Sequence, residues 1–346
     1  MPRISVMIPA YDAESFIGPA IESVLCQDFK DYEICVIDDA SQDRTAEVVK
    51  SYLDDNRVEY VRNEHNLGLT RNWNRCLQLS TGSLVQILQA DDLIDSDYLS
   101  IVTGIFDTMP SAGFVAATCR HIDSHGQVTN PGVARSSGLY KAGDQAVATF
   151  LTGGFPHVSS IVLKRECYEQ VGGFDEEFWF APDVEMGPRL GLHFDYYRLG
   201  GVHTSFRRHG TNSGLLEFLR RDYVLTFMKM QNLSWSYLSS EARAEMGIQD
   251  LGQHIARTTA SLVANGVLVM LAFGRKDLAR YYFNQALELD PRIRHKGRFW
   301  KMLGLLALPL SEYLVRWRLK ITKEDLAKVR SVEEKLRSRQ LLLEAD

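Results

Sequence analysis

A chain of 346 residues with 45% hydrophobic and 24% charged residues is long enough for one large domain or two ordinary ones, and apolar enough to bury a full core. A formal net charge of −5 argues against nucleic acid as a partner, because phosphate backbones are met by basic surfaces. Residues 292–346 depart from that balance with 14 Lys/Arg against 7 Asp/Glu, a basic tail suited to an anionic partner such as a membrane surface. The five cysteines, Cys26, Cys35, Cys76, Cys119 and Cys167, form no CxxC pair and have no histidine at zinc-ligand spacing. They read as buried free thiols of a reducing compartment. The chain enters a strand directly after Met1-Pro2-Arg3. Its longest apolar run, residues 262–273, falls short of the ~20 residues that span a bilayer. A cytoplasmic protein is expected.

Through the first 120 residues, short β-branched runs alternate with helical spacing. Strands are expected over 4–8, 33–37, 58–61, 84–88 and 114–117, and helices over 13–27, 44–54, 69–79 and 98–109. That alternation implies βαβ units, a mainly parallel sheet and right-handed crossovers, with ligands at the carboxyl ends of the strands. Residues 120–180 read as mixed: a hairpin bending at Gly126, a strand over 158–163, and a short helix ending at Gly172-Gly173. A helix over about 184–192 leads into an extended stretch to Arg208. From about Gly214 the spacing is helical to the end. Residues 279–291 resemble one tetratricopeptide helix, and a single copy is too few for a solenoid, so a C-terminal helical bundle is expected.

Acidic and aromatic residues cluster at the strand ends. Pro9-Ala10-Tyr11-Asp12 closes the first strand. There Tyr11 can stack on a base or ribose, while Asp12 can equally cap the following helix and Glu14 can be a first-turn acid. Asp38-Asp39 closes the second strand and either offers a carboxylate to a nucleoside or solvates a turn. Asp91-Asp92 closes the fourth, where paired carboxylates can hold a hard divalent cation and so neutralise a departing diphosphate. Asp92 can also cap the next helix. Between them lies Asn66-Leu67-Gly68-Leu69-Thr70-Arg71, in which Arg71 can clamp a phosphate or stand free on the surface.

In order, these pieces resemble the family 2 inverting glycosyltransferases of GT-A fold. The resemblance is carried by Ser5-Val6-Met7-Ile8-Pro9-Ala10-Tyr11, Val36-Ile37-Asp38-Asp39, Asn66-Leu67-Gly68, Ala90-Asp91-Asp92, Gly172-Gly173-Phe174-Asp175 and Asp183-Val184-Glu185, over about residues 3–213. It implies a Rossmann-like α/β domain over 1–213, with a nucleotide-binding half (1–120) and an acceptor half with the catalytic base (121–213), followed by an α-helical C-terminal region (214–346). It also implies that Asp39, Pro9, Tyr11 and Glu14 line the nucleoside pocket. Asp91 would face the ribose or sugar, and Asp92 would bind Mn²⁺ or Mg²⁺. Asp183 is then the catalytic base, with Glu185 in reserve because Pro182 stands where the family usually has Glu. His209, in the closing segment Phe206-Arg207-Arg208-His209, is the candidate second metal ligand; the other reading is a packing residue.

The implied reaction is an in-line displacement. Asp183 takes the proton of an acceptor hydroxyl, and sugar passes from a nucleotide-diphosphate donor, UDP by analogy, to a glycan or lipid-linked glycan. Three rivals are a non-catalytic nucleotide-sugar binding module, a sugar-phosphate nucleotidyltransferase, and a helical scaffold protein, which the C-terminal third alone supports. The second is expected to carry a basic Gly-rich loop after its first strand, which Pro9-Ala10-Tyr11-Asp12 is not. The Trp- and Arg-bearing apolar stretches at 300–310 and 313–320 suit either peripheral contact with the inner face of the cell membrane or packing on the transferase domain.

Overall fold

The first strands build two cores at once, because successive side chains leave a strand on opposite faces. The computed structural model describes residues 1–153, 156–209, 219–220, 222–295 and 334. Its strands are β1 (Ile4–Ala10), β2 (Tyr32–Asp38), β3 (Val58–Arg62), β4 (Leu84–Ile87), β5 (Leu93–Ile94), β6 (Ala112–Ile122), β7 (Val128–Asn130), β8 (Gly138–Tyr140), β9 (Ile161–Lys164) and β10 (Asp195–Arg207). All seven residues of β1 are buried, as expected of a strand covered on both faces. Ile4, Val6 and Ile8 join Ile34 and Val36 of β2 in one core, whereas Met7, Cys35 and Ile37 enter the other.

Helices seal each face. Helices α1 (Ile17–Leu25), α2 (Thr45–Lys50) and α4 (Tyr98–Thr108) cover the first core through Ile21, Val24, Val49, Val102 and Phe106. Helices α3 (Leu69–Leu79), α6 (Arg165–Val171) and α7 (Pro182–His193) cover the second through Trp73, Leu77, Cys167, Met186 and Leu190. The short α5 (Asp144–Gly153) contacts α7.

The strands form one sheet in the order β3-β2-β1-β4-β9-β6-β10-β5, with β7 paired to β6 and β8 to β10. From β3 to β4 it is parallel, as the alternating elements imply. Beyond that it is mixed, with antiparallel strands added to the parallel pairings of the nucleotide half and of β6 with β10. Strand β9 runs antiparallel between β4 and β6, while β6 and β10 are parallel to each other. Short hairpin returns such as β6–β7, which bends at Gly126 (φ 80°), allow antiparallel pairing that a βαβ crossover does not. The expected strand over 158–163 begins as a 3₁₀ turn, Val158–Ser160, before β9.

Two compact units are distinguished. One is Met1–Arg208 with Tyr237–Ser239; the other is His209–Ser236 with Ser240–Asp346. The sheet belongs wholly to the first. The second contains α8 (Tyr223–Ser236), α9 (Ser240–Glu245), α10 (Leu251–Ala272) and α11 (Lys276–Leu289). Asp250 caps α10 by accepting the Gln253 N–H at 2.9 Å, and α10 packs against α8 and α11. Helix α10 begins at Leu251, eleven residues before the apolar run of 262–273 seen in the sequence. Its 22 residues and hydropathy of 1.5 make it long and apolar enough to cross a bilayer, yet 65% of its most apolar stretch is buried, as in a bundle's core helix. Residues 210–213 of the closing segment and the apolar stretches at 300–320 lie outside the described residues.

Candidate functional site

At the end of β1 the chain must leave a parallel strand without wasting hydrogen bonds. Strand β4 stops at Ile87, opposite Met7, and the Leu88 N–H reaches the Met7 carbonyl at 2.9 Å. The N–H that Pro9 lacks would therefore face a side where no strand remains. Tyr11 follows with 41% of its surface exposed. The loop after β1 is then stitched to the loop after β2. Ser41 Oγ accepts the Asp12 N–H, Asp12 Oδ1 accepts the Gln42 N–H, and Asp43 accepts the Glu14 N–H. Glu14 Oε2 accepts the Arg44 backbone N–H at 3.0 Å and the Arg44 side chain at 3.3 Å, so the structure places it in this loop network. Asp12 and Ala40 both hold left-handed backbone, φ 48° and 63°, a conformation that costs energy away from glycine and concentrates at functional loops.

The two aspartates closing β2 separate in role. Asp38 is fully buried, accepting Tyr60 Oη at 2.5 Å and an Arg62 nitrogen at 2.7 Å on Oδ2, and the Ser41 N–H on Oδ1. Asp39 Oδ1 accepts Asn63 Nδ2 and the Leu67 N–H, both at 2.8 Å, and Oδ2 accepts the Gly68 N–H at 2.9 Å. A carboxylate has about four acceptor positions, so Oδ2 retains one. Gly68 sits at φ 87° as the N-cap of α3, a conformation glycine adopts at little cost.

Helix α3 ties this strand end to the acceptor half. Asn72 Nδ2 donates to the Ile37 carbonyl, Thr70 Oγ1 to the Phe178 carbonyl, and Asn74 bonds both the N–H and the carbonyl of Phe174. Arg71 pairs with Glu176 at 2.8 Å, both largely exposed. In this arrangement Arg71 clasps the 172–180 loop.

Beyond β4 the two acids are sheltered unequally, Asp91 half-buried and Asp92 fully buried. Asp92 is 0% exposed; Oδ2 accepts Ser159 Oγ at 2.5 Å and Oδ1 the Arg207 N–H at 2.9 Å. Burial first, then the neighbouring Asp91, holds its carboxyl well above the usual carboxylate range, despite the bonds from Ser159 and Arg207. Arg207, at the end of β10, is the organiser. Besides its backbone bond, its side chain donates to the Asp91 and Asp123 carbonyls and lies over the Phe16 ring at 5.1 Å. His157 stands 3.2 Å from Asp92 Oδ2 and packs on Phe206 at 4.3 Å between ring centres. Its burial favours the neutral ring, while Asp183 and Asp91 pull the other way. One histidine thus lies within electrostatic reach of the strand-four acids and of the predicted base. Asp39 lies two strands along the same edge, roughly 10 Å at the usual interstrand spacing.

Asp183 occupies the first turn of α7. Pro182 is at the first helical position, where its missing N–H costs nothing and its fixed φ suits the helix. The residue before proline avoids the right-handed helical region, and Ala181 adopts φ 44°, ψ 45°. Burial raises the Asp183 carboxyl above the ordinary aspartate range, against the opposing pull of His157 and the helix's first backbone N–H groups. Glu185, two residues on, is 1% exposed and engaged elsewhere. Arg189 grips it with two bonds of 2.8 Å and also donates to the Val171 and Gly173 carbonyls, and Tyr237 Oη donates to it at 2.9 Å. A carboxylate so engaged holds the helix in place. His209 belongs to the second unit.

The fit of these residues to a divalent cation can be judged from their chemistry. Among the described residues no three His, Cys, Asp or Glu side chains form a ready metal cage. A buried carboxylate with a second beside it is nevertheless what an ion held mainly by water and substrate phosphates requires from a protein. His157, Arg207 and Tyr237 are not among the site residues expected from the sequence. Arg207 stands in the quoted closing segment, whereas His157 and Tyr237 carry no spacing signal.

Residues 5–171 match the family model described as Glycosyl transferase family 2. The chain is 32% identical over 209 residues to GalNAc(5)-diNAcBac-PP-undecaprenol beta-1,3-glucosyltransferase of Campylobacter jejuni, covering 60% of this chain and 64% of that protein. It is 30% identical over 133 residues to chondroitin synthase of Escherichia coli, covering 38% and 19%. The chain thus spans less than two thirds of each of these relatives. Among solved structures it resembles residues 1–349 of S. aureus TarS in complex with UDP, with a TM-score of 0.57 at 18% identity over 98% of this chain and 92% of that one. At that identity the likeness concerns the fold.

Proposed function

Because this chain belongs, through residues 5–171, to glycosyltransferase family 2 and folds as a GT-A domain, we propose that it transfers a sugar with inversion from a UDP-sugar to a hydroxyl of a glycan or lipid-linked glycan. The observation that carries this reading is the gathering of Asp91, Asp92 and Asp183 about His157, which sets a proton acceptor beside a buried acidic strand end. The UDP and UDP-GlcNAc complexes of the S. aureus TarS structures support the choice of donor.

The remaining acceptor position of Asp39 Oδ2 suits a nucleobase N–H, and the exposed Tyr11 ring suits stacking on the base, with Pro9 and Glu14 as neighbours in their loop. Asp91 would orient the ribose or sugar. Asp183 takes the acceptor proton as the hydroxyl oxygen attacks the anomeric carbon, with the diphosphate leaving from the opposite side. Asp92 would hold Mn²⁺ or Mg²⁺, which when bound neutralises the charge of the departing diphosphate. Arg207 and Ser159 keep the Asp92 carboxylate in place. A binding module without catalysis gains nothing from Pro182, which α7 accepts at its first position.

A lipid-linked acceptor would bring the cytoplasmic protein to the inner face of the cell membrane, where the basic 292–346 tail would meet anionic lipid. The decisive experiment is a panel of nucleotide sugars incubated with the full chain, Mn²⁺ and anionic vesicles. Thermal shift and NMR of the released anomer would be read, along with co-sedimentation. A Mn²⁺-dependent shift with a UDP-sugar and an initially inverted product are expected. A retained configuration removes the mechanism, a stronger shift with another base removes the donor, and vesicle binding that survives deletion of 296–346 removes the tail's role.

A further inference from the structure

We infer that His157, through its Nδ1, is a direct ligand of the divalent cation that Asp92 holds; the inference rests on the metal-dependent reading above. His157 Nδ1 is buried and has no hydrogen-bond partner among the described residues. It nonetheless faces Asp92 Oδ2 at 3.2 Å, and that oxygen already accepts the Ser159 hydroxyl at 2.5 Å. An imidazole nitrogen and a carboxylate oxygen are both lone-pair donors. Brought together out of water with no aligned proton between them, they repel unless a positive charge is shared.

The separation suits a shared ion. Ligand atoms at ~2.1 Å from an octahedral centre lie ~3 Å apart along one edge, close to the distance seen here. Phe206 against the ring and Ser159 on the carboxylate restrain both partners, as supporting contacts do for metal ligands. Two protein ligands leave the other positions to diphosphate oxygens and water, consistent with the lack of a three-residue cage among the described residues. A nitrogen ligand should shift preference toward Mn²⁺ and Co²⁺ over Mg²⁺, because imidazole favours the later metals.

The test uses the full chain with Mn²⁺ and inorganic pyrophosphate, a probe without nitrogen, and reads electron spin-echo modulation from ¹⁴N. Wild type should show nitrogen coupling. His157→Ala should lose it and bind Mn²⁺ about 10–100-fold more weakly, while His209→Ala should keep it. His157→Gln, closer in volume, replaces the alanine variant if that one is unstable. Bound Mn²⁺ without nitrogen coupling in wild type, or coupling that persists in the His157 variants, overturns the inference and leaves the metal reading intact. Absence of bound Mn²⁺ in wild type overturns both.

Discussion

Asp183→Asn is expected to lower kcat by about 10²–10⁴, the usual contribution of a positioned general base, while UDP-sugar binding read by thermal shift is retained. The amide keeps the shape of the carboxylate but cannot take a proton. Burial raises the Asp183 carboxyl, so at neutral pH its ionised form is held at a cost to the fold. Removing that charge should raise Tm slightly, the trade of stability for activity common at working sites. In wild type the base is active only when ionised. Activity should therefore fall as pH drops through the raised pKa, and the acid limb of kcat should lie above the ordinary aspartate value of about 3.9. Stability should move oppositely. A folded pKa above the unfolded one means the native state binds more protons between the two values, so this group's contribution is full below the unfolded pKa and is lost as pH rises through the folded one. Glu185→Gln provides the contrast. It leaves a half-buried Arg189 without its partner charge and should lower Tm by several degrees with kcat little changed. If Glu185→Gln abolishes transfer and Asp183→Asn does not, the base has been misassigned.

Asp92→Asn should reduce transfer by about 10²–10³, the scale of removing one group that stabilises developing charge, and should remove the Mn²⁺-dependent part of the UDP thermal shift. The asparagine can still accept from Ser159 or from the Arg207 N–H, so the strand end should survive. Because burial already disfavours the Asp92 charge, stability should not fall greatly. A variant whose UDP binding answers to Mn²⁺ as in wild type would show that the cation is held elsewhere. Asp38→Asn, at the other acidic strand end, is expected to behave differently. Asp38 receives Arg62 and Tyr60, so its loss should lower Tm and leave the metal response in place.

The parallel half of the fold is legible in the sequence because its signals are local: a run of β-branched residues, a turn, a helical period. Helix α3 can be read to the residue, over 69–79, because Gly68 marks its start and its apolar spacing is clear. Helix α1 is expected from residue 13 but begins at Ile17. Asp12 looks like a cap, yet its carboxylate accepts the Gln42 N–H across the inter-loop network, a contact no helical pattern reveals. The same limit divides the site. Acidic pairs after apolar strands stand out in a sequence. Whether a given carboxylate faces ligand or protein depends on distant partners, such as Arg62 for Asp38 and Tyr237 for Glu185. No spacing rule joins His157 to Asp92 either. The two meet because β9, which follows the histidine, pairs with β4, which precedes the aspartate.

Tyr237 and Ser239 belong to the first unit although they come late in the chain: Ser239 binds Asp144 on α5 through both its N–H and its hydroxyl, while Tyr237 holds Glu185. A ribosome making this protein completes the last strand of the sheet about thirty residues before it releases these two side chains. During that interval the helix bearing the base lacks one of its fastenings, so the sheet can form before the catalytic end of the nascent chain is fully secured.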